Sequence, residues 1–490
     1  MRKALIVSGL SIAFLIGVST VTWQLTTVDK FNDLDTNLRK IIYEGFEKGP
    51  LQEDFEYPIN SEWISIVTNH PYYSYNQPHL SWKTAWVLDG LYYAYLSTGD
   101  RVFLDELVAL LDELLKRRDH FENRVSWNGN LYPIWGETSR YHDAFFDLSD
   151  SNGQIIARLI FHGVHHDQTK VALKSSREIK QFDLIIEHKD TKYEIKNLTL
   201  TTMEQRIRNE IDWTIYLSPQ SGNRVIEVIL YTKDDKVVPV EQPLTLVNNI
   251  SIPNVCDSGL ILKPMALTYQ ILKKEERNYH AESYRIALEE AFEALVPLTW
   301  QDCEESSSGY FKYPDNSPTA FGGDSIIPWN QQFLFVAAMT IYASEEDDDY
   351  LQSVAQKWAM YFLSKVEKTS QGYLWKYWED PSRTITWYET TRYGSIDIEC
   401  MSHIYSTGLA FSEYDMQQVA NTVKSRMLKP DGAVSTLIDG TNPMKSNQVL
   451  LYRYLSMSSY VPELITLLNK HDEVGWDQAS RLLYYNMINR

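Results

Sequence analysis

Acidic side chains set on apolar helix faces are where this sequence offers chemistry. Trp82, Trp86, Asp89, Tyr93 and Leu96 recur at three- and four-residue spacing and share one face of a helix. A carboxylate on such a face costs several kcal/mol unless it is paired or wetted. Wetted at the bottom of a cleft, Asp89 can move protons; bonded to an arginine or a helix terminus, it is a strut. A second place lies between Trp387 and Tyr393, which carries Glu389, Arg392 and Tyr393 just ahead of a helix bearing Asp397. A carboxylate, a guanidinium and a phenol at a helix mouth suit acid/base work. They equally suit a buried network that holds the loop.

The loops around these helices are polar and aromatic. One runs from Ser126 through Trp127 to Trp135, and on to Arg140, Tyr141 and His142, where His142 has an Arg and a Tyr beside it. Another, Pro328 to Gln332, places Trp329 and Asn330 at the start of a helix. Tyr373, Trp375, Tyr377 and Trp378 alternate as in an extended segment, either a platform for flat ligands or rim packing. The whole chain is rich in rings, with 14 Trp, 32 Tyr and 17 Phe in 490 residues. Such an excess suits surfaces that stack on sugar rings.

Other chemistries find no residues to run on. The sequence lacks clustered Cys and His ligands, a phosphate-cradling glycine loop and a Gly-x-Ser-x-Gly elbow, so no cofactor and no metal is expected. The acidic run from Glu345 to Asp349 reads as a solvated hairpin tip. A net charge of −19 with no basic stripe argues against nucleic acid as a partner. Three widely spaced cysteines (Cys256, Cys303, Cys400) define no disulfide framework.

The elements that position these groups repeat. Trp82–Leu115 superimposes without gaps on Trp329–Phe362, bringing Tyr95 onto Tyr342, Ser97 onto Ser344 and Asp100 onto Asp347. Each copy reads as helix, short acidic turn, helix. Tyr405 to Gly408 echoes Tyr95 to Gly99, and looser hairpins span 257–296 and 447–470. Helices near 34–47 and 476–488 can pair as a sixth. Between 150 and 252 the helical rhythm stops, and the β-branched and aromatic runs 155–164, 182–188, 193–198, 213–217 and 225–231 predict an inserted β-module. At the N-terminus, Arg2 and Lys3 precede an apolar stretch, Ala4 to Trp23, of about 20 residues, enough to cross a bilayer. Whether it stays as an anchor or is cleaved as a signal, the positive-inside rule places the body outside the cytoplasm. The expected division is a signal or anchor at 1–28, helical hairpins at 29–149, a β-module at 150–252 and further hairpins at 253–490.

The phrase Tyr-x-Ser-Thr-Gly-Asp-x-x-Phe-Leu at 95–104, with its counterpart at 342–351, resembles the hairpins of the six-hairpin (α/α) toroids of carbohydrate-active enzymes. The resemblance implies a mainly α fold and a glycan substrate, and it leaves the reaction open. Glycoside hydrolysis, the favoured reading, needs two carboxylates flanking the bond, drawn from Asp89, Glu389 and Asp397. Elimination or C5-epimerisation of a uronate would instead use Arg140, Tyr141, His142, Arg392, Tyr393 and Asn330. A third reading is a non-catalytic envelope protein that binds a polysaccharide. In each, Trp82, Trp86, Trp127, Trp329, Tyr373 and Trp375 are the expected sugar-binding rings.

Overall fold

A computed structural model describes residues 33–48, 77–136, 144–161, 169–188, 191–210, 226–232, 234, 237–246, 251–303, 307–317, 323–381, 385–470 and 474–489. The chain is mainly helical. Its helices are α1 (Asp33–Lys48), α2 (Gln77–Thr98), α3 (Arg101–Leu115), α4 (Leu200–Glu210), α5 (Val255–Lys274) and α6 (Asn278–Thr299). After them come α7 (Trp329–Glu346), α8 (Asp349–Lys365), α9 (Thr391–Ser406), α10 (Glu413–Thr422), a 3-10 helix (Lys445–Met457), α11 (Glu463–Leu468) and α12 (Trp476–Ile488).

Six of these helices close a cycle. α2 packs on α5, α5 on α7, α7 on α9, α9 on the 3-10 helix, that helix on α12, and α12 back on α2. A second helix backs each member: α3 behind α2, α6 behind α5, α8 behind α7, α10 behind α9, α11 behind the 3-10 helix, and α1 against α12. The two terminal helices therefore do meet. α5 and α7 are buried nearly all round between their neighbours, which explains why they are apolar on almost every face.

Local chemistry sets where the helices begin. The Asn254 side chain accepts from the Cys256 amide, and Lys273 and Lys274 sit in the last turn of α5 where they oppose the helix dipole. At the repeated turn, the structure departs from the ungapped alignment by one residue. Asp100 caps α3, but Asp348 and not Asp347 caps α8, because Asp347 takes the left-handed conformation that Gly99 holds in the first copy. The acidic run is thus a pair of helix ends.

Gly259 marks the closest approach of two inner helices. A Cβ there would lie 2.7 Å from the Phe335 amide nitrogen and 3.0 Å from its Cα, on the backbone of α7. Backbone cannot swing aside as a side chain can. Gly259→Ala is therefore expected to destabilise the protein by about 1–3 kcal/mol, read by urea denaturation.

The β-module has its own core. β1 (Ala144–Ser149), β2 (Ile155–Phe161) and β6 (Ile226–Leu230) form one antiparallel sheet in the order β1-β2-β6. β3 (Thr169–Ser175), β4 (Phe182–His188), β5 (Thr191–Leu198) and β7 (Gln242–Leu246) form another, in the order β5-β4-β3-β7. Phe146, Leu159, Phe161, Leu184, Ile186 and Met203 pack together here, apart from the helical core. The first strand starts at Ala144, six residues before the expected boundary, and α4 interrupts the strands. The run at 213–217 and the segment Ala4–Trp23 lie outside the described residues. Among the described residues, no helix is long and apolar enough to cross a membrane.

Candidate functional site

Five of the six ring helices line one cleft. Trp82, Ala85, Trp86 and Asp89 come from α2, Leu260 and Lys263 from α5, Leu334 from α7, Ile396 from α9 and Arg453 from the 3-10 helix. It lies on the ring axis and is narrow, with room for about one water between these side chains. Helical spacing placed Trp82, Trp86 and Asp89 on one face, and that face looks into this funnel. Trp86 is exposed and Trp82 half-buried.

The floor of the funnel is a buried ion network. Lys263 Nζ lies 3.1 Å from Asp89 Oδ1 and 3.2 Å from Glu399 Oε2. Arg453 Nη2 donates to Asp89 Oδ2 at 2.9 Å and Arg481 Nη2 at 3.1 Å, while the Nη1 atoms of both arginines donate to Glu399. Tyr93 Oη donates to Glu399 at 3.4 Å. The Arg453 guanidinium also sits over the Trp86 ring, 4.4 Å from its centroid, and Arg481 over Tyr93 at 4.3 Å. Burial pushes Asp89 upward, but Lys263, Arg453 and Arg481 outweigh it and hold the carboxyl well below the usual range. This corrects the assignment of Asp89 as a catalytic acid or base. A carboxylate so strongly held by three cations neither gives nor takes a proton near neutrality, and Asp89 is a charged strut in the funnel floor.

Glu389 and Asp397 form a different kind of site. Both are wholly buried. Glu389 ends the segment that leads into α9, and its backbone pairs with Trp375 and Ile438. Thr390 then caps α9 by accepting from the Tyr393 amide at 3.1 Å, which brings Glu389 and Asp397 to one end of the helix. Glu389 Oε1 accepts from the Thr390 amide at 2.6 Å, and Asp397 Oδ2 accepts from Trp375 Nε1 at 2.8 Å. Glu389 Oε2 and Asp397 Oδ1 have no partner. Burial first, and the neighbouring Asp397 second, push the Glu389 carboxyl well up; burial does the same to Asp397. Two buried carboxylates so placed oppose each other's ionisation.

That has a consequence for stability. A carboxyl whose pKa is raised on folding stabilises the fold below its unfolded pKa of about 4 and loses that contribution as pH rises through the folded value. Glu389→Gln puts a neutral amide where the buried carboxyl resists ionising. The variant should be more stable relative to the wild type at pH 8 than at pH 4, measured by thermal melts at both.

The remaining expected residues scatter. Tyr373 and Trp375 are buried and bonded, Tyr373 to Asp415 at 3.0 Å, so neither is a stacking platform; their alternation serves packing. Trp329 is also buried, edge-on to Trp358 and Phe362, which removes it as a sugar-binding ring. Asn330 is buried with Oδ1 unpartnered. Arg392 and Tyr393 are exposed, with the Tyr393 ring 5.7 Å from Tyr377. Trp127 sits half-buried in a turn far along the loop. Arg140, Tyr141 and His142 lie outside the described residues.

Sequence reasoning missed Lys263, Glu399, Arg453 and Arg481; Lys263 and Arg453 are lone charges in apolar runs, the signal that singled out Asp89, whereas Glu399 has Asp397 beside it and Arg481 has Asp477 one turn before it. It also missed Asp257, in the first turn of α5, which accepts from the Ser81 hydroxyl and is pushed by burial up to about 6.

No family model and no curated protein matches the chain. Among solved structures, it is similar to the GH76A alpha-1,6-mannanase from Salegentibacter sp. HEL1_6, at 12% identity over 93% of this chain and 99% of that one, with a TM-score of 0.30. An inactive variant of that mannanase in complex with alpha-1,6-mannotriose gives 12% identity over 92% and 98% of the two chains, again with a TM-score of 0.30. At such scores the likeness carries no argument, and the chemistry rests on the residues above.

Proposed function

We propose that the protein is a carbohydrate-active enzyme of the (α/α) toroid kind. In this reading it holds a glycan at the mouth of the axial funnel, against the exposed Trp86, and hydrolyses a glycosidic bond. The observation that carries the reading is the funnel itself: indoles of Trp82 and Trp86 on one wall and charged hydrogen-bonding groups on the floor. Sugar rings present a flat C–H face and a hydroxyl edge, and this combination matches both. Glu389 and Asp397 support hydrolysis over other reactions. One of the two holds a proton to give to a leaving oxygen, and the other, once ionised, can activate water or attack. Asp397 follows Ile396, which lines the funnel.

The proposal includes an extracytoplasmic body behind residues 4–23. Recovery of a tagged chain from the membrane or the medium supports it, and recovery as a cytosolic protein ends it.

Incubating the purified full chain with neutral and uronate-containing glycans tests the reaction. New reducing ends without ultraviolet absorbance are expected. Reducing ends with the absorbance of an unsaturated uronate would replace hydrolysis by elimination, and solvent deuterium uptake without cleavage would replace it by epimerisation. The complete burial of Glu389 and Asp397 favours one second reading, glycan binding without turnover. Saturable binding with no product from any glycan would establish it.

A further inference from the structure

An aromatic rim stands at the Glu389 end of α9. Among the described residues only two tryptophans are exposed, Trp86 and Trp387, the latter at 48%. The Trp86 ring lies over Arg453, whereas Trp387 makes no ring contact or hydrogen bond among the described residues. Lys376 and Tyr388 bridge antiparallel, and the Glu389 amide donates to the Trp375 carbonyl at 2.9 Å, a register that sets Trp387 opposite Tyr377. The Tyr377 ring lies 5.7 Å from that of Tyr393, tilted by 31°, and Tyr393 is 37% exposed. Arg392, next to it, is exposed as well. Among the described residues its guanidinium has neither an ion pair nor a hydrogen bond, although acidic residues outnumber basic ones 65 to 46. Its five N–H donors are open to a ligand.

The rim belongs to the mouth of the ring. Ile396 lines the axial cleft, and Arg392 and Tyr393 precede it by four and three residues, on the same face of α9 and one turn nearer its start. Trp82 stands in the same relation to Trp86 on α2. The starts of these helices lie at one end. Ser81 donates to Asp257 and joins the starts of α2 and α5, and Gly259 meets Phe335 in the first half of α7. The Trp329 amide donates to the Tyr377 carbonyl at 3.4 Å, which joins the start of α7 to the rim of α9. α2 and α9 are opposite members of the six-helix cycle, so the two tryptophans of α2 and the rim stand across the mouth from each other.

We infer that the rim formed by Trp387, Tyr377 and Tyr393 is a second sugar-binding subsite, in which one residue of a glycan chain lies on the rings and turns its hydroxyls to Arg392. This rests on the glycan reading above and names the substrate class within it: a chain of several sugar residues, held at Trp86 and at the rim, and not a single sugar. The apolar C–H face of a sugar suits the rings, and its hydroxyl edge suits the guanidinium. At their exposures the rings offer roughly 200 Å² of surface, enough for one or two sugar residues. A protein partner would cover about 800 Å². The rim also adjoins the buried acids. Trp387 lies two residues before Glu389, and Tyr377 two residues after Trp375, whose indole donates to Asp397. A chain on the rim passes beside that pair.

Calorimetric titration of the full chain tests it, with hexasaccharides of mannose, of glucose and of alternating glucuronate and N-acetylglucosamine, and with the matching monosaccharides. At least one hexasaccharide should bind about tenfold or more tightly than its own monosaccharides. Trp387→Ala and Tyr393→Ala should each weaken it about tenfold with the thermal melt unchanged, as truncating a contact ring does. Trp387→Phe, which keeps a flat ring, should weaken it less. Tyr279→Ala, on the backing helix α6 and 80% exposed, should bind as the wild type does. For any glycan of the activity panel that is turned over, Trp387→Ala should raise KM about tenfold and keep kcat. If an alanine variant melts early, Arg392→Gln takes its place, and unchanged affinity there overturns the subsite. Wild-type affinity and KM in both ring variants overturn the subsite while turnover by the wild type leaves the glycan reading intact. A monosaccharide bound as tightly as its hexasaccharide overturns the extended substrate. Absence of binding by every hexasaccharide, with no turnover of any panel glycan, overturns both readings together.

Discussion

Glu399→Gln should lower the free energy of unfolding by about 3–5 kcal/mol, the loss seen when one partner is taken from a buried ion pair. Glu399 accepts from Lys263, Arg453 and Arg481 at once, and from the Tyr93 hydroxyl. An amide of the same shape leaves three cations facing Asp89 alone and turns its own N–H donors toward them. The exposed pair between Lys424 and Glu463 provides the contrast. There Glu463→Gln should change stability by no more than about 1 kcal/mol, since solvent screens the pair. Urea denaturation of both variants reads the difference, and a Glu399→Gln loss no larger than that of Glu463→Gln would show the network to be energetically idle. The same cluster predicts acid sensitivity. Asp89 is held below its ordinary value, so its contribution is present above about pH 4 and fades as pH falls below that.

What the sequence made legible follows from the range of the interactions involved. The hairpins were visible because helix periodicity and the Gly99 and Gly408 turns are local, and the ring follows from stacking them. The position of Asp89 on the funnel wall was visible for the same reason. Its partners were not, because they lie 174, 364 and 392 residues away and nothing local connects them. Lys263 could have been found by asking why a lysine sits in the middle of Leu260-Ile261-Leu262 and Pro264-Met265. Tyr373 and Trp375 misled for the opposite reason. Alternation marks an extended segment, but it does not say which side is covered, and α10 covers the segment that holds Tyr373. The first strand was missed because its Ala144-Phe-Phe-Asp-Leu-Ser149 run is short and follows a polar loop without a turn signal.

Glu389→Gln and Asp397→Asn should each reduce glycan turnover by about 10²–10⁴-fold, the range that a positioned acid or base contributes. The two substitutions remove a proton that can be given or taken while keeping the shape of the side chain. For Glu389→Gln the expected sign on stability is the reverse of the sign on activity. At pH 8 the wild type must hold together a buried pair that the surroundings resist ionising, and the amide relieves it. A wholly structural pair would give another pattern, with Glu389→Gln melting as before or later and turning over substrate at the wild-type rate. A pair needed only to hold the α9 end in place would lose stability and activity together, and a gain in stability with turnover kept would remove the pair from the reaction. The pH profile adds an independent mark. If a proton on Glu389 is the one delivered to the leaving oxygen, wild-type turnover falls on the alkaline side as that carboxyl gives it up, with a limb displaced above the carboxylate range. Asp89→Asn, by contrast, should act through folding, lowering stability by several kcal/mol, because its carboxylate is already committed to Lys263, Arg453 and Arg481.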